Sequence, residues 1–241
     1  MAARNVLGIA AIVLLALLSS GCLRLVWDIL DVPVPCYDEH FERCQEAQDE
    51  LQPIAQDSCA GDGKRVCLVP LGQVSPELMQ QLVGHYEEQY GLAVTVLRPL
   101  AIPDLVVNSD RGQLEGGALL AFMRGTFPDE SADPNVVLIG LTPLDMYNKE
   151  RDWRFAFGVK GVVEDPKAVI STFRMNPQTF GDFPDDGLLF SRAQKMVSRY
   201  IGFFYYRLPA NSDSESLLYS SILSLGDLDR LQGPLPVTQD P

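Results

Sequence analysis

Asn135-Val136-Val137-Leu138-Ile139-Gly140-Leu141-Thr142-Pro143-Leu144-Asp145-Met146-Tyr147 is the stretch on which the architecture turns. From Asn135 to Leu141 it reads as a strand that is apolar throughout, which places it centrally, covered on both faces. Outward from it, elements alternate. Upstream, Val66 to Leu71 is a short apolar strand. Ser75 caps a helix with Pro76 at its first position, and that helix runs to Tyr90 and stops at Gly91. Leu92 to Leu97 is β-branched and strand-like. Arg111 to Met123 suits a helix despite Gly112, Gly116 and Gly117. Downstream, Trp153 to Gly158 and Ala168 to Phe173 read as added strands. Ser191 to Leu208 is the strongest helix, with Ala193, Val197, Ile201, Phe204 and Leu208 on one stripe. Ile222 to Gln232 reads as a last short helix, and 233–241 as a disordered tail. The fold class is therefore α/β: a parallel sheet layered with helices, with further strands added.

The N-terminal end carries an export pattern. Arg4 is followed by thirteen apolar residues, Val6 to Leu18, then Ser19, Ser20, Gly21 and Cys22. That run is too short for a bilayer core, which takes about 20 helical residues, and has the length of a signal-peptide core. Cysteine after Ser-Ser-Gly resembles a bacterial lipobox. The resemblance implies cleavage after residue 21 and a lipid on Cys22, an anchor strengthened by about 0.8 kcal/mol per buried methylene. Leu23 is not the Asp that marks inner-membrane retention, so the outer membrane is favoured, with the protein facing the periplasm or exterior. Residues 22–64 then form a tether and a helical segment.

Four further cysteines, Cys36, Cys44, Cys59 and Cys67, form two Cys-x7-Cys pairs. An even count in an oxidising compartment predicts two disulfides. Three connectivities exist; the nested one, Cys36 with Cys67 and Cys44 with Cys59, is favoured. Zinc is the rival reading, but the spacing fits poorly and only His40 is near. The net charge of −13 argues against nucleic acid as a partner. Residues 28–62 hold ten acidic residues against Arg43, as a solvated face does.

From about Arg65 to Leu231 the order of motifs resembles the archaemetzincins, a metzincin-type family of zinc metallopeptidases. The matching pieces begin with Val66–Gly72 and Asn108–Gln113. They continue with Leu138–Tyr147, Phe155–Gly158 and Val169–Met175. Arg192 and Lys195 on the long helix and Ser224–Asp229 complete the set. The resemblance implies a layered mixed sheet, a long former active-site helix over about 191–208, and a domain spanning 65–232. It also implies that the strand carrying Trp153, Phe155 and Phe157 edges the cleft, where extended substrate pairs.

Activity in such a family needs His-Glu-x-x-His-x-x-Gly-x-x-His. Two histidines one helical turn apart bind zinc, and the glutamate takes a proton from metal-bound water. This chain has two histidines, His40 and His85, both upstream of the long helix. If Arg192, Lys195 and Gly202 match the family, the ligand positions fall on Arg199, Phe203 and Pro209 and the base on Tyr200. The turn beneath the metal falls on Leu217-Leu218-Tyr219. A frame shifted by one residue puts Ser198, Arg199, Gly202 and Leu208 there instead. Neither frame supplies a zinc ligand, and Arg199 would repel a dication.

Other groupings have bland readings. Tyr200, Tyr205 and Tyr206, with Arg199 and Arg207, are packing and rim rather than a new catalytic set. Asp227 and Asp229, two apart on a helix, do not share a face. Asp145 is expected to anchor a loop through backbone amides, and Asp182, Asp185 and Asp186 to form a solvated loop rather than a calcium site. Ser171 and Ser198 lack a downstream histidine. The expectation is a lipid-anchored, non-cutting domain without a cofactor that binds an extended peptide or an envelope protein. The alternative is a hydrolase holding zinc through unrecognised ligands. A third reading is a structural lipoprotein whose cleft is filled by its own side chains.

Overall fold

The computed structural model describes residues 54–151 and 153–235. The signal segment 1–21, Cys22, Cys36, Cys44, the acidic helical segment and the last six residues lie outside them. The first strand, β1 (Ala55–Gln56), precedes β2 (Arg65–Pro70), α1 (Pro76–Tyr90) and β3 (Val94–Leu97). Then follow β4 (Val107–Asn108), β5 (Gln113–Glu115), α2 (Gly116–Thr126), α3 (Pro128–Ala132) and β6 (Val136–Thr142). Next come β7 (Met146–Tyr147), β8 (Gly158–Lys160), β9 (Lys167–Ser171), α4 (Asp186–Phe204) and α5 (Leu225–Arg230).

Six strands form one sheet in the order β1-β3-β2-β6-β9-β8, and β4-β5-β7 form a second, three-stranded one. In the larger sheet every pairing is parallel except β8 with β9. The centre, β2 and β6, is where the sequence is most continuously apolar, as a sheet covered on both faces requires. Alternation along β6 assigns the faces. Val137, Ile139 and Leu141 join α1 and α4 in one core, while Val136 and Leu138 join α2 in the other. Gly140 lies on the α2 side, where an added methyl would meet Leu71 Cδ1 at 2.5 Å and Met123 Sδ at 2.9 Å. Its bare backbone lets α2 lie close to the sheet.

Local signals place α1 as expected: Ser75 Oγ accepts from Leu78 N–H, Pro76 opens it and left-handed Gly91 ends it. Several other boundaries differ. The stretch Trp153 to Gly158 is not a strand; the edge strand is Gly158–Lys160. The Arg111–Met123 helix begins only at Gly116, because Gln113–Glu115 pair with β4 and β7. The long helix starts at Asp186, five residues early, since Asp185 caps it by accepting from Leu188 N–H. The tail is ordered at its start: Leu235 is buried and its N–H donates to Tyr90 Oη. The favoured nested disulfides are contradicted as well, because Cys59 pairs with Cys67 across a Cα separation of 6.1 Å. Those cysteines are eight residues apart, and the bond ties the 54–64 segment to β2.

Candidate functional site

On α4, Arg199, Tyr200 and Phe203 all lie in the region bounded by β8 and the 217–219 segment. Residues one and four apart in the helix reach it because they cover one broad stripe. Arg199 is buried, and its guanidinium donates to the backbone carbonyls of Leu217, at 3.2 Å, and Tyr219. It also lies over the Phe203 ring, Cζ 4.8 Å from the centroid. Lys160, the last residue of β8, approaches the same ring from its own side, Nζ at 5.4 Å. Tyr200 packs its hydroxyl against Gly158 so closely that a Cβ there would collide with it.

Among the described residues no carboxylate forms an ion pair with these cations. Burial holds the Arg199 guanidinium below its usual range, offset in part by the Tyr200 hydroxyl. Burial, and then the neighbouring charge of Arg199, lower Lys160. Burial pushes Tyr200 up to about 12. The zinc implied by the resemblance does not fit this set. A guanidinium tied to carbonyls and a phenyl ring stand where imidazoles would be needed, and Lys160 adds a second positive charge. Among the described residues no group of three His, Cys, Asp or Glu side chains is placed to hold a metal ion.

The other helix frame separates clearly. Ser198 is fully buried on the opposite side, bonded to Tyr86 Oη at 2.9 Å and to Gln194 Nε2 at 2.8 Å. It serves the α1–α4 contact. Gly202, the second ligand position of the shifted frame, lies inside α4, where Leu218 and Leu235 press on it. The chain turns after the helix, with Arg207 in the left-handed region at φ 55° and the Leu208 N–H reaching the Gly202 carbonyl. Pro209 beyond it is exposed.

The edge of β8 is free of strand partners among the described residues. Ser171 N–H donates to Phe157 O and Gly161 N–H to Lys167 O. By antiparallel alternation Val159 turns to β9, while the backbone groups of Gly158 and Lys160 face outward. Trp153 is exposed, Phe155 half-buried and Phe157 buried, so the three do not form the single edge expected of them.

At the N-terminal end of β8 lies a cleft of about 530 Å³, lined by Arg111, Gln113, Asp145, Arg154, Phe155 and Arg174. It sits at the C-terminal ends of β6 and β9. Asp145 does more than cap a loop. Its Oδ1 accepts from Met146 N–H at 3.0 Å and Arg174 Nε at 2.9 Å. Its Oδ2 accepts from Gln113 Nε2 at 2.8 Å and Arg174 Nη2 at 2.7 Å. Arg111 donates to Gln113 and to the carbonyls of Trp153 and Arg154, and stacks over Tyr147. These residues are far apart in sequence, which hid the cleft, although Arg111 and Arg174 both fall in stretches that carry the resemblance.

The remaining groupings are structural. Arg192 makes a bidentate pair with Asp229, at 2.8 and 2.7 Å, and donates to Met175 O. Lys195 holds the carbonyls of Leu228 and Asp229. Asp227 receives the N–H of Leu223 and the hydroxyl of Ser224 at the start of α5. Ser171 donates to Leu144 O.

The chain folds as a mixed α/β sheet with one antiparallel edge strand lying along a long helix. No protein-family model matches the chain. It is 28% identical over 138 residues to archaemetzincin from Methanocaldococcus jannaschii, covering 57% of this chain and 70% of that protein. The fold is similar to the zinc-dependent peptidase from Methanocorpusculum labreanum, with a TM-score of 0.58, 19% identity and coverage of 69% of this chain and 93% of that one. Archaemetzincin from Archaeoglobus fulgidus gives a TM-score of 0.56 at 23% identity, over 73% and 96% of the two chains. The chain is thus homologous to the archaemetzincin family at modest identity, with a mixed α/β fold matching its solved structures.

Proposed function

We propose that this is a non-cutting relative of the archaemetzincins, displayed at a bacterial membrane through lipid on Cys22. Its role in this reading is to hold rather than hydrolyse: an extended peptide, or a segment of an envelope protein, adds as a strand to β8. The observation that carries it is the pair of cations, Arg199 and Lys160, around the Phe203 ring. A dication is repelled there, and Tyr200, at the position of the base, is a buried phenol held protonated rather than a carboxylate. The outward backbone groups of Gly158 and Lys160 support the binding half of the reading, since main-chain bonds give affinity in strand addition.

The deciding experiment is metal analysis of the purified full chain together with a casein digest. The expectation is no stoichiometric zinc and no cleavage. Stoichiometric zinc with cleavage that a chelator abolishes would overturn the reading in favour of a hydrolase with other ligands. For the anchor, Cys22→Ser should move the protein from the membrane to the soluble fraction. For the edge, Lys160→Pro should weaken peptide binding well beyond Lys160→Ala, because only the former removes the outward N–H.

A further inference from the structure

We propose that the cleft at the start of β8 is a carboxylate pocket, which receives the acidic C-terminal end of a peptide lying on that strand. Its location on the peptide's path rests on the β8 reading above; the pocket itself does not. The cleft carries three guanidinium groups and one carboxylate. Asp145 is fully occupied by Arg174, Gln113 and the Met146 N–H, so it neutralises one arginine only. Arg111 is fixed by neutral acceptors, a side-chain amide and two carbonyls, which orient its charge without cancelling it. Arg154 is exposed, and while its carbonyl accepts from Arg111 and Gln113, its side chain makes no hydrogen bond or ion pair among the described residues, which leaves its donors for a ligand.

Two positive charges therefore remain in a concave site on a chain whose net charge is −13. The Arg174 guanidinium lies over the Phe155 ring, Cζ 4.4 Å from its centroid. The free Arg154 guanidinium beside it suits the planar acceptor of a carboxylate, which arginine engages with paired N–H bonds. Polarity follows from the same charges. A peptide antiparallel to β8 brings its C-terminal end towards residues 154–157, where the cations lie. A parallel one would bring its N-terminal amine there and be repelled. Lys160 at the other end of the strand adds a second preference for acidic peptide side chains.

The test uses an acetylated hexapeptide of alternating valine and threonine in four forms, with the full chain and its Arg154→Ala and Arg154→Glu variants. The forms end in glutamate or glutamine, each as free acid or amide. Carboxylate-bearing forms should bind about tenfold more tightly than the glutamine amide, and Arg154→Ala should remove that difference. Loss on amidation alone assigns the terminal carboxylate; loss on Glu-to-Gln exchange alone assigns the side chain. A parallel titration with N-acetylglutamate, too short to pair with β8, is followed by the arginine Nε–H resonances of Arg111, Arg154 and Arg174. Shifts of these signals with no peptide binding support the pocket and overturn strand addition. Equal affinity of all four peptides, or no arginine shift on titration, overturns the pocket while leaving β8 to stand on its own test.

Discussion

Arg192 and Arg199 lie two turns apart on α4, and each is 9% exposed, yet they face opposite circumstances. Arg192 meets the Asp229 carboxylate through two parallel bonds, and that contact raises it above its usual range. Arg199 meets backbone carbonyls and the Phe203 ring, and burial lowers it. The first half of the helix is thus a finished internal joint, tying α4 to α5 and to Met175. The second half keeps an uncancelled charge beside β8. Identical residue types at equal burial do unlike work because charge, not packing, separates them.

The sharpest way to break this comparison is Arg192→Met. It removes a bidentate pair, leaves Asp229 without its partner and strands the Met175 carbonyl. The expected loss is about 3 kcal/mol, because the buried Met175 carbonyl loses a charged donor and Asp229, though 40% exposed, loses a bidentate one. Denaturant unfolding of the full chain measures it. A loss under about 1 kcal/mol would mean that the joint is ornamental and the two halves of α4 are alike.

Gly158→Ala comes next. The new methyl collides with the Tyr200 hydroxyl, on a ring that Phe204 stacks against with centroids 6.2 Å apart. A rigid ring cannot give way as a flexible chain end would, so overpacking costs about 2 kcal/mol. The Gly158→Ala/Tyr200→Phe double variant tests the assignment, because removing the hydroxyl should recover most of that loss. Failure to recover it would place the strain elsewhere on β8.

Third is Arg199→Met, expected to change stability by no more than about 1 kcal/mol in either direction. Removing an unpaired buried charge helps, while the carbonyls of Leu217 and Tyr219 lose their donor, and the two effects offset each other. A loss as large as that for Arg192→Met would show that Arg199 is a joint of the same kind.

How far these features could be read from sequence depends on whether their cause is local. The cap at Ser75, the stop at Gly91 and the apolar run of β6 carry their reasons within a few residues, and the structure agrees with them. The edge strand was misplaced because Arg154 and its neighbours alternate like a strand, while their carbonyls are taken by the side chains of Arg111 and Gln113. Those donors lie some forty residues upstream, beyond the reach of any periodicity. Disulfide pairing is likewise a tertiary fact, and Cys59 with Cys67 was one choice among several. That this sequence holds no His-Glu-x-x-His needed no structure, since His40 and His85 cannot make it. That Lys160 stands beside Arg199 was invisible, because residues thirty-nine apart meet only once β8 lies on α4.

That last contact yields the smallest effect, and its sign can be worked out. Burial and Arg199 lower Lys160 below its ordinary 10.5, so the folded state gives up this proton before the unfolded chain does. Stability therefore rises with pH from the lowered value up to about 10.5, and at neutral pH the cost of this partly desolvated charge is fully present. Tyr200 works the other way. Its hydroxyl, held up to about 12, stays protonated while the unfolded chain ionises from 10.0 upward, and stability falls there. The difference between wild type and Lys160→Met cancels the tyrosine's part. Lys160→Met should melt a little higher at neutral pH and lose that advantage as the pH approaches 10.5. A melting difference that does not change with pH would show that Lys160 is solvated. The charge left uncancelled near Phe203 would then belong to Arg199 alone.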